Sequence, residues 1–328
     1  MDKRARVFVV LVLGCVAVAG ISIVTAVGGN KAPAAAKDVL TAARDADRPS
    51  LVFRNLDRER PQTYGQVAVA DLPPKARRLV PLKCERVTFN RSGSGLCLTR
   101  GTTFAAAYRA RIFGADLRVR GEVAVDGIPS RARVSGDGRY GSTTFFVAGH
   151  SYADLGGFST TTTLIDLVRA RKIAELEDFT VTRDARKVTA PDVNFWGVTF
   201  AKNSDVFYAT LATGGKIYLV EGSVSRRTMR TIHPDVECPS LSPDGRRIAY
   251  KKRAGAGAKR WRLHVLDLAT MRETPLAETR SVDDQLEWLD DDHVLYGLQE
   301  QIWTAVADGS GKPRRFAVRG DSPAVVRW

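Results

Sequence analysis

Four histidines occur in the 328 residues, His150, His233, His264 and His293, and none stands at a spacing that builds a nucleophile relay or a metal triad. His264 lies inside the apolar run WRLHVLDL, and His293 sits in the polar turn DDDHV. The sequence contains no G-x-S-x-G elbow, H-E-x-x-H helix, P-loop or dinucleotide fingerprint. Carboxylates are densest at Asp283, Asp284, Glu287, Asp290, Asp291 and Asp292. A calcium site needs several oxygens converging at about 2.3–2.6 Å, and this stretch lacks the EF-hand spacing. In strand periodicity Asp284 and Glu287 point to opposite faces, and Asp290–Asp292 read as a turn. The chain is therefore read as non-catalytic, with no cofactor and no metal site.

The cysteines say more about compartment than about chemistry. Cys84 opens the run CERVTFN and Cys97 lies in GLCLTR, with turn residues 90–95 between them. Neighbouring antiparallel strands bring such a pair to disulfide distance, and an oxidising compartment closes it. The alternative for Cys84 and Cys97 is two small buried hydrophobes. Cys238, ahead of Pro239 at a strand start, reads as a buried and inert thiol.

From Ser50 onward the chain is a string of short β-branched or aromatic runs between turn signals, with no helix-length amphipathic segment. One phrase recurs: CPSLSPDGRRIAYKKR from Cys238, with weaker copies from Cys84, Ser130, Phe195 and Leu286. Each is a short apolar strand, a tight Asp/Asn/Gly turn and a second strand, which is a β-hairpin. A second phrase alternates with it, a strand ending in an acidic pivot, a turn and another strand. The pivots are Asp71, Asp116, Asp166, Glu221, Asp267 and Asp308, separated by 45, 50, 55, 46 and 41 residues. A four-strand unit at that period predicts a six-bladed β-propeller over residues 50–328, lengthened in the middle by an insertion. The tail SPAVVRW copies the first-strand phrase without its hairpin partner, and the head PSLVFRN looks like a second strand lacking its first. Val325–Trp328 are expected beside Leu51–Phe53, closing the ring.

SLSPDGRRIAY followed by LHVLDLATMRETPLA resembles the TolB-type propeller repeat of bacterial envelope proteins. The resemblance spans most of residues 50–328 and is strongest from Cys238 to Ala277. It implies an all-β propeller and a place in the cell envelope. The stretch between the apolar segment and the propeller is too short for a TolB-like N-terminal α/β domain, so TolB's own role does not follow.

Val7 to Val27 is 21 residues without a charge. As a helix it spans roughly 31 Å, the thickness of a hydrocarbon core. The basic residues 1–6 stay cytoplasmic and the propeller faces outward. An uncleaved signal anchor is the reading adopted. A cleaved signal peptide and a lipoprotein signal with Cys15 lipidated are its rivals, and all three put the domain outside. Residues 28–49 read as a linker, with a short helix around Lys37–Asp45.

The net charge is +14, and residues 7–328 carry +12 of it, because Lys3, Arg4 and Arg6 against Asp2 account for +2. Such a field suits an anionic partner: an acidic envelope protein, or an anionic cell-wall or lipid polymer. Nucleic acid fits least, since no basic run interleaves with aromatics. Propellers bind through loops at one end of the ring. The repeat alignment collects Tyr152, Trp196, Lys251, Lys252, Arg253, Lys259 and Arg260 on one rim, with Trp196 read as interblade core and its exposure as the alternative. The function expected is a membrane-tethered binding or scaffold module. The alternative is a propeller enzyme of the metal-dependent lactonase or lyase type with a site at the channel mouth.

Overall fold

The computed structural model describes residues 39–101, 108–147, 159–255 and 260–328. The apolar stretch 7–27, Cys15, residues 28–38 of the linker, and the predicted rim residues Tyr152 and Lys259 lie outside the described residues. Among the described residues no helix is long and apolar enough to cross a membrane.

Six sheets are arranged as six blades. Counting each from its inner strand outward, blade 2 is β4 (Arg86–Phe89), β5 (Ser94–Arg100), β6 (Tyr108–Gly114) and β7 (Val119–Val125). Blade 3 is β8 (Ile128–Val134), β9 (Tyr140–Val147), β10 (Ser159–Asp166) and β11 (Arg171–Glu175). Blade 5 is β18 (Glu237–Leu241), β19 (Arg247–Arg253), β20 (Trp261–Asp267) and β21 (Glu273–Pro275). Blade 6 is β22 (Glu287–Trp288), β23 (His293–Leu298), β24 (Gln301–Val306) and β25 (Arg314–Val318).

Blade 1 is where head meets tail. Its inner strand is β26 (Gly320–Val326), followed outward by β1 (Ser50–Asn55), β2 (Gln66–Asp71) and β3 (Arg77–Lys83). Leu51 pairs with Val325 and Val52 with Ala324, so the last strand completes the first blade. The inner strands contact one another in order around the ring, β26 with β4, β4 with β8, and onward back to β26. Arg77 ties the closure from outside. Its guanidinium donates to Asn55 Oδ1 at 2.8 Å, Arg319 O at 3.0 Å and Val318 O at 2.8 Å, joining blade 1 to the last turn of blade 6.

Blade 4 departs from four strands. Its regular part is β14 (Asn194–Phe200), β15 (Val206–Thr213), β16 (Lys216–Ser223) and β17 (Thr228–Pro234). The insertion foreseen from the long gaps folds as β12 (Thr180–Arg183) and β13 (Arg186–Lys187), and β12 pairs in parallel with β17. It covers what would otherwise be an open outer edge.

Turn chemistry explains why the recurrent phrase is legible. In Ser135–Gly138 and Ser242–Gly245 the sequence S-x-D-G builds the same bonded loop twice. Ser135 Oγ donates to Asp137 Oδ1 and accepts Tyr140 N at 2.9 Å, while Asp137 accepts Arg139 N at 3.0 Å. Ser242 accepts Arg247 N at 3.0 Å, and Asp244 accepts Arg246 N at 2.9 Å. Gly138 sits at φ +72°, and a Cβ there would meet Ser92 Oγ at 2.1 Å. Of the acidic pivots, Asp116, Asp166, Asp267 and Asp308 accept backbone N–H groups of their own turns. Glu221 does not: it stays within β16 and pairs with Arg230 at 3.0 Å, and Asp205 caps that turn instead, through Ser225 N at 2.8 Å.

Cys84 and Cys97 are joined, with Cα atoms 5.3 Å apart. The bridge fastens the connection entering blade 2 to that blade's second strand. A loop of this size contributes about 3 kcal/mol by the chain-entropy argument. Cys238 is free and buried. The end of the linker also belongs to the packed body. Helix α1 (Val39–Asp45) buries Ala43, and buries Leu40 in the core cluster that blades 1 and 2 share with Ala324, Val326 and Trp328.

One buried carboxyl gives the fold a pH dependence. Glu177, in the short turn 176–178 after β11, accepts Thr162 N at 3.2 Å, and burial pushes its pKa up to about 8. Between its ordinary value and about 8 the folded chain holds a proton that the unfolded chain releases, so stability falls as pH rises through that window. Glu177→Gln is expected to flatten the loss, by about 1–2 kcal/mol between pH 5 and pH 8.5 after allowance for the partly open surface. Urea midpoints of both proteins at the two pH values check it. Parallel midpoints would show that Glu177 is ionised throughout.

Candidate binding site at the channel mouth

Every inner strand runs toward the same end of the ring, and the turns that follow β4, β8, β14, β18 and β22 surround the opening there. The opening is a cavity of about 260 Å³. Its wall combines aromatic side chains, Phe89, Phe200 and Trp288, with the cations Arg91, Arg133, Lys202 and Arg327.

Two of these groups are fixed. Trp288 Nε1 donates to Ser240 O at 2.8 Å, and Arg247 lies over its ring at 5.5 Å. Arg133 is ion-paired to Glu287 and donates to Leu286 O at 2.9 Å and Ser240 Oγ at 3.2 Å. Glu287 also accepts Val325 N at 3.3 Å, so the single lining carboxylate is fully engaged. The other three cations differ. Arg91, Lys202 and Arg327 are exposed, and no carboxylate lies within ion-pair distance of them among the described residues. Arg327 donates to Leu289 O at 2.5 Å, which leaves its charge uncompensated. Three unpaired cations around an aromatic-walled opening give it a positive field.

Deeper in the channel the charges balance. Arg131 is 9% exposed and pairs with Asp283 at 3.1 Å. Arg54 reaches Asp321 at 3.1 Å and Arg86 reaches it at 3.7 Å, yet burial still pushes the Asp321 carboxyl up. This layer is a packed ion-pair network with a void of only about 30 Å³.

The described rim residues read from sequence lie at the other end, where Arg253 and Arg260 are exposed, Lys252 is half-buried, and Trp196 and Lys251 are buried. Trp196 is 5% exposed within β14. Lys251 is buried and pairs with Asp283, Lys252 holds Glu273 at 2.7 Å, and Arg253 holds Glu237 at 2.9 Å. Arg260 is exposed beside a separate hollow lined by Trp261 and Thr279. Among the described histidines, His233 lies 3.7 Å from Glu273, and His293 lies 2.9 Å from Asp290. Burial lowers the His264 pKa. Among the described residues no group of three or more His, Cys, Asp or Glu is placed to hold a metal ion.

The mouth cations were missed although the repeat carries a signal for them. Phe89 and Phe200 each end an inner strand, and a cation follows two residues later in both, Arg91 and Lys202.

No family model and no curated protein sequence matches the chain. Solved structures do. TolB from Acinetobacter baumannii is similar with a TM-score of 0.58 and 15% identity, over 85% of this chain and 66% of that one, so the chain spans slightly less than two thirds of that protein. A chain of a nidogen/laminin complex is similar with a TM-score of 0.55 and 9% identity, over 84% of this chain and 98% of that one. The Cps50 (Swd1) β-propeller domain of Myceliophteria thermophila gives 0.50 and 10%, over 85% of each chain. At these identities the likeness is one of fold.

Proposed function

We propose that this protein is a non-catalytic binding module of the cell envelope, tethered to the membrane through residues 7–27, whose channel mouth receives an anionic group of its partner. The observation that carries the reading is the trio Arg91, Lys202 and Arg327, charged, exposed and unpaired at the mouth of the ring. The propeller scaffold suits it, because a closed ring holds loops from all its blades at one mouth. An acidic protein surface and an anionic wall or lipid polymer present the same chemistry to this trio.

Titrating the full-length protein with polyphosphate and with a glutamate-rich peptide tests the site. The triple substitution Arg91→Glu, Lys202→Glu, Arg327→Glu is expected to weaken binding by about tenfold or more, at roughly 0.5–1 kcal/mol per charge. The same change at Lys252, Arg253 and Arg260 is expected to leave it nearly unaltered. A loss confined to the second triple would move the site to the opposite rim.

A further inference from the structure

The end of the ring that carries the mouth also carries a second ring of positive charge. In each blade the turn between the third and fourth regular strands falls at this end, and each of those six turns has an exposed basic residue: Lys75, Arg118, Arg169, Arg226, Arg272 and Lys312. The carboxylates of the same turns are less available. Asp116, Asp166 and Asp267 are half-buried or buried and bonded to turn N–H groups, Asp166 also to the Arg169 guanidinium at 2.9 Å, and half-buried Asp205 reaches the blade 4 turn from the neighbouring one, while Asp71 and Asp308 are exposed. Two of the basic turns also put an apolar side chain in water, Val168 at 78% exposure and Met271 at 41%.

The chain enters the body at this same end. β1 begins at Ser50 opposite Val326, Trp328 Nε1 donates to Arg48 O at 3.2 Å, and α1 packs in the cluster that includes Leu117 of a mouth-end turn. Only eleven residues, 28–38, separate Val39 from the apolar stretch ending at Val27, a reach of at most about 40 Å. A surface of spaced cations with intervening apolar tips, on a short leash from an apolar segment, has the composition of a face that rests on anionic lipid headgroups.

We infer that the mouth end of the propeller docks on the anionic surface of its own membrane, so that the mouth cations meet lipid phosphate. This rests on the tether reading and names the source of the anion. The docking is tilted: blade 6 brings Asp290, Asp291 and Asp292 to this end, so blades 2 to 5 lie closest to the lipid.

Full-length protein reconstituted into phosphatidylcholine vesicles, with or without phosphatidylglycerol, tests the inference. A Cys15→Ser background carries a single fluorophore at Val168→Cys or at Ile128→Cys, which is 64% exposed at the opposite end. The expected result is several-fold stronger quenching by headgroup-labelled lipid at position 168 than at 128, in anionic vesicles only, abolished by molar salt. Replacing Arg118, Arg169, Arg226 and Arg272 by Gln is expected to remove the difference, and the salt arm gives the same answer should that variant fold poorly. Equal quenching at both positions in protein that floats with the vesicles overturns the docking and leaves the tether standing. Protein that floats with neither lipid overturns both.

Discussion

Removing Gly320–Trp328 is expected to leave no cooperatively folded domain. The segment supplies the whole inner strand of blade 1, and Ala324 and Val326 are 1% and 0% exposed in a cluster shared by blades 1 and 2. The buried Ala324 methyl and Val326 side chain, with the Trp328–Phe89 contact at 6.1 Å, together represent about 3–6 kcal/mol of burial. That is comparable with the full stability of a typical domain, about 5–15 kcal/mol. The deletion also bares the edge of β1, whose Leu51 and Val52 groups then seek another strand. Expected observations are loss of a sharp thermal transition and a shift to large species on size exclusion. A synthetic peptide spanning residues 320–328 should restore a transition in proportion to its concentration, because the closure is non-covalent. The milder Val326→Asp, which buries a charge in the apolar cluster that also holds Val52 and Val69, should lower the urea midpoint by an amount equal to at least about 3 kcal/mol. A truncated chain that melts like the full one would show that the ring is held by its other five interfaces alone.

That closure could be anticipated because strand grammar is local and complementary: a tail with one strand too many and a head with one too few. The S-x-D-G turns were legible for the same reason, since each network closes within six residues. What sequence periodicity does not carry is the end of the ring at which a charged side chain emerges and what it meets there. Alternation by two assigns Lys251 to a face of β19, but whether that face looks onto water or onto Glu237 depends on Trp261 and Asp283, ten and thirty-two residues further along. Arg91 and Lys202 stayed hidden for the converse reason, lying in turns where a cation is ordinary until their common opening is seen. Helix α1 was legible as a helix but not as core, because seven residues with Leu40 and Ala43 turned inward are too short a segment for an apolar face to stand out.

The basic residues read from sequence as a binding rim are expected to matter for stability, and unequally. Lys251 is 4% exposed, touches Asp283, lies 3.9 Å from Glu237 and places its ammonium 4.4 Å from the centre of the Trp261 ring. Glu237 is 2% exposed and keeps two other donors, Arg253 at 2.9 Å and Trp261 Nε1 at 3.1 Å. Taking Lys251 away therefore strips one of three partners from a buried carboxylate and opens a gap under an indole. Breaking a buried pair costs about 3–5 kcal/mol, and the partners remaining to Glu237 put Lys251→Ala at the lower end of that range. Lys251→Met keeps the volume and the contact with Trp261 while removing the charge, so it should recover about half of the loss. Arg253, whose side chain is 52% exposed, should cost under about 1 kcal/mol on replacement by Ala. Urea titrations of the three variants rank them, and polyanion titrations at the mouth should give unchanged affinity for each, because Lys251 and the mouth cations occupy opposite ends of the channel. Were Lys251→Ala to melt with the parent and lose polyanion binding, the ammonium would be reaching a ligand that its burial forbids, and the receptor would have to be sought around β19 instead of around Arg91, Lys202 and Arg327.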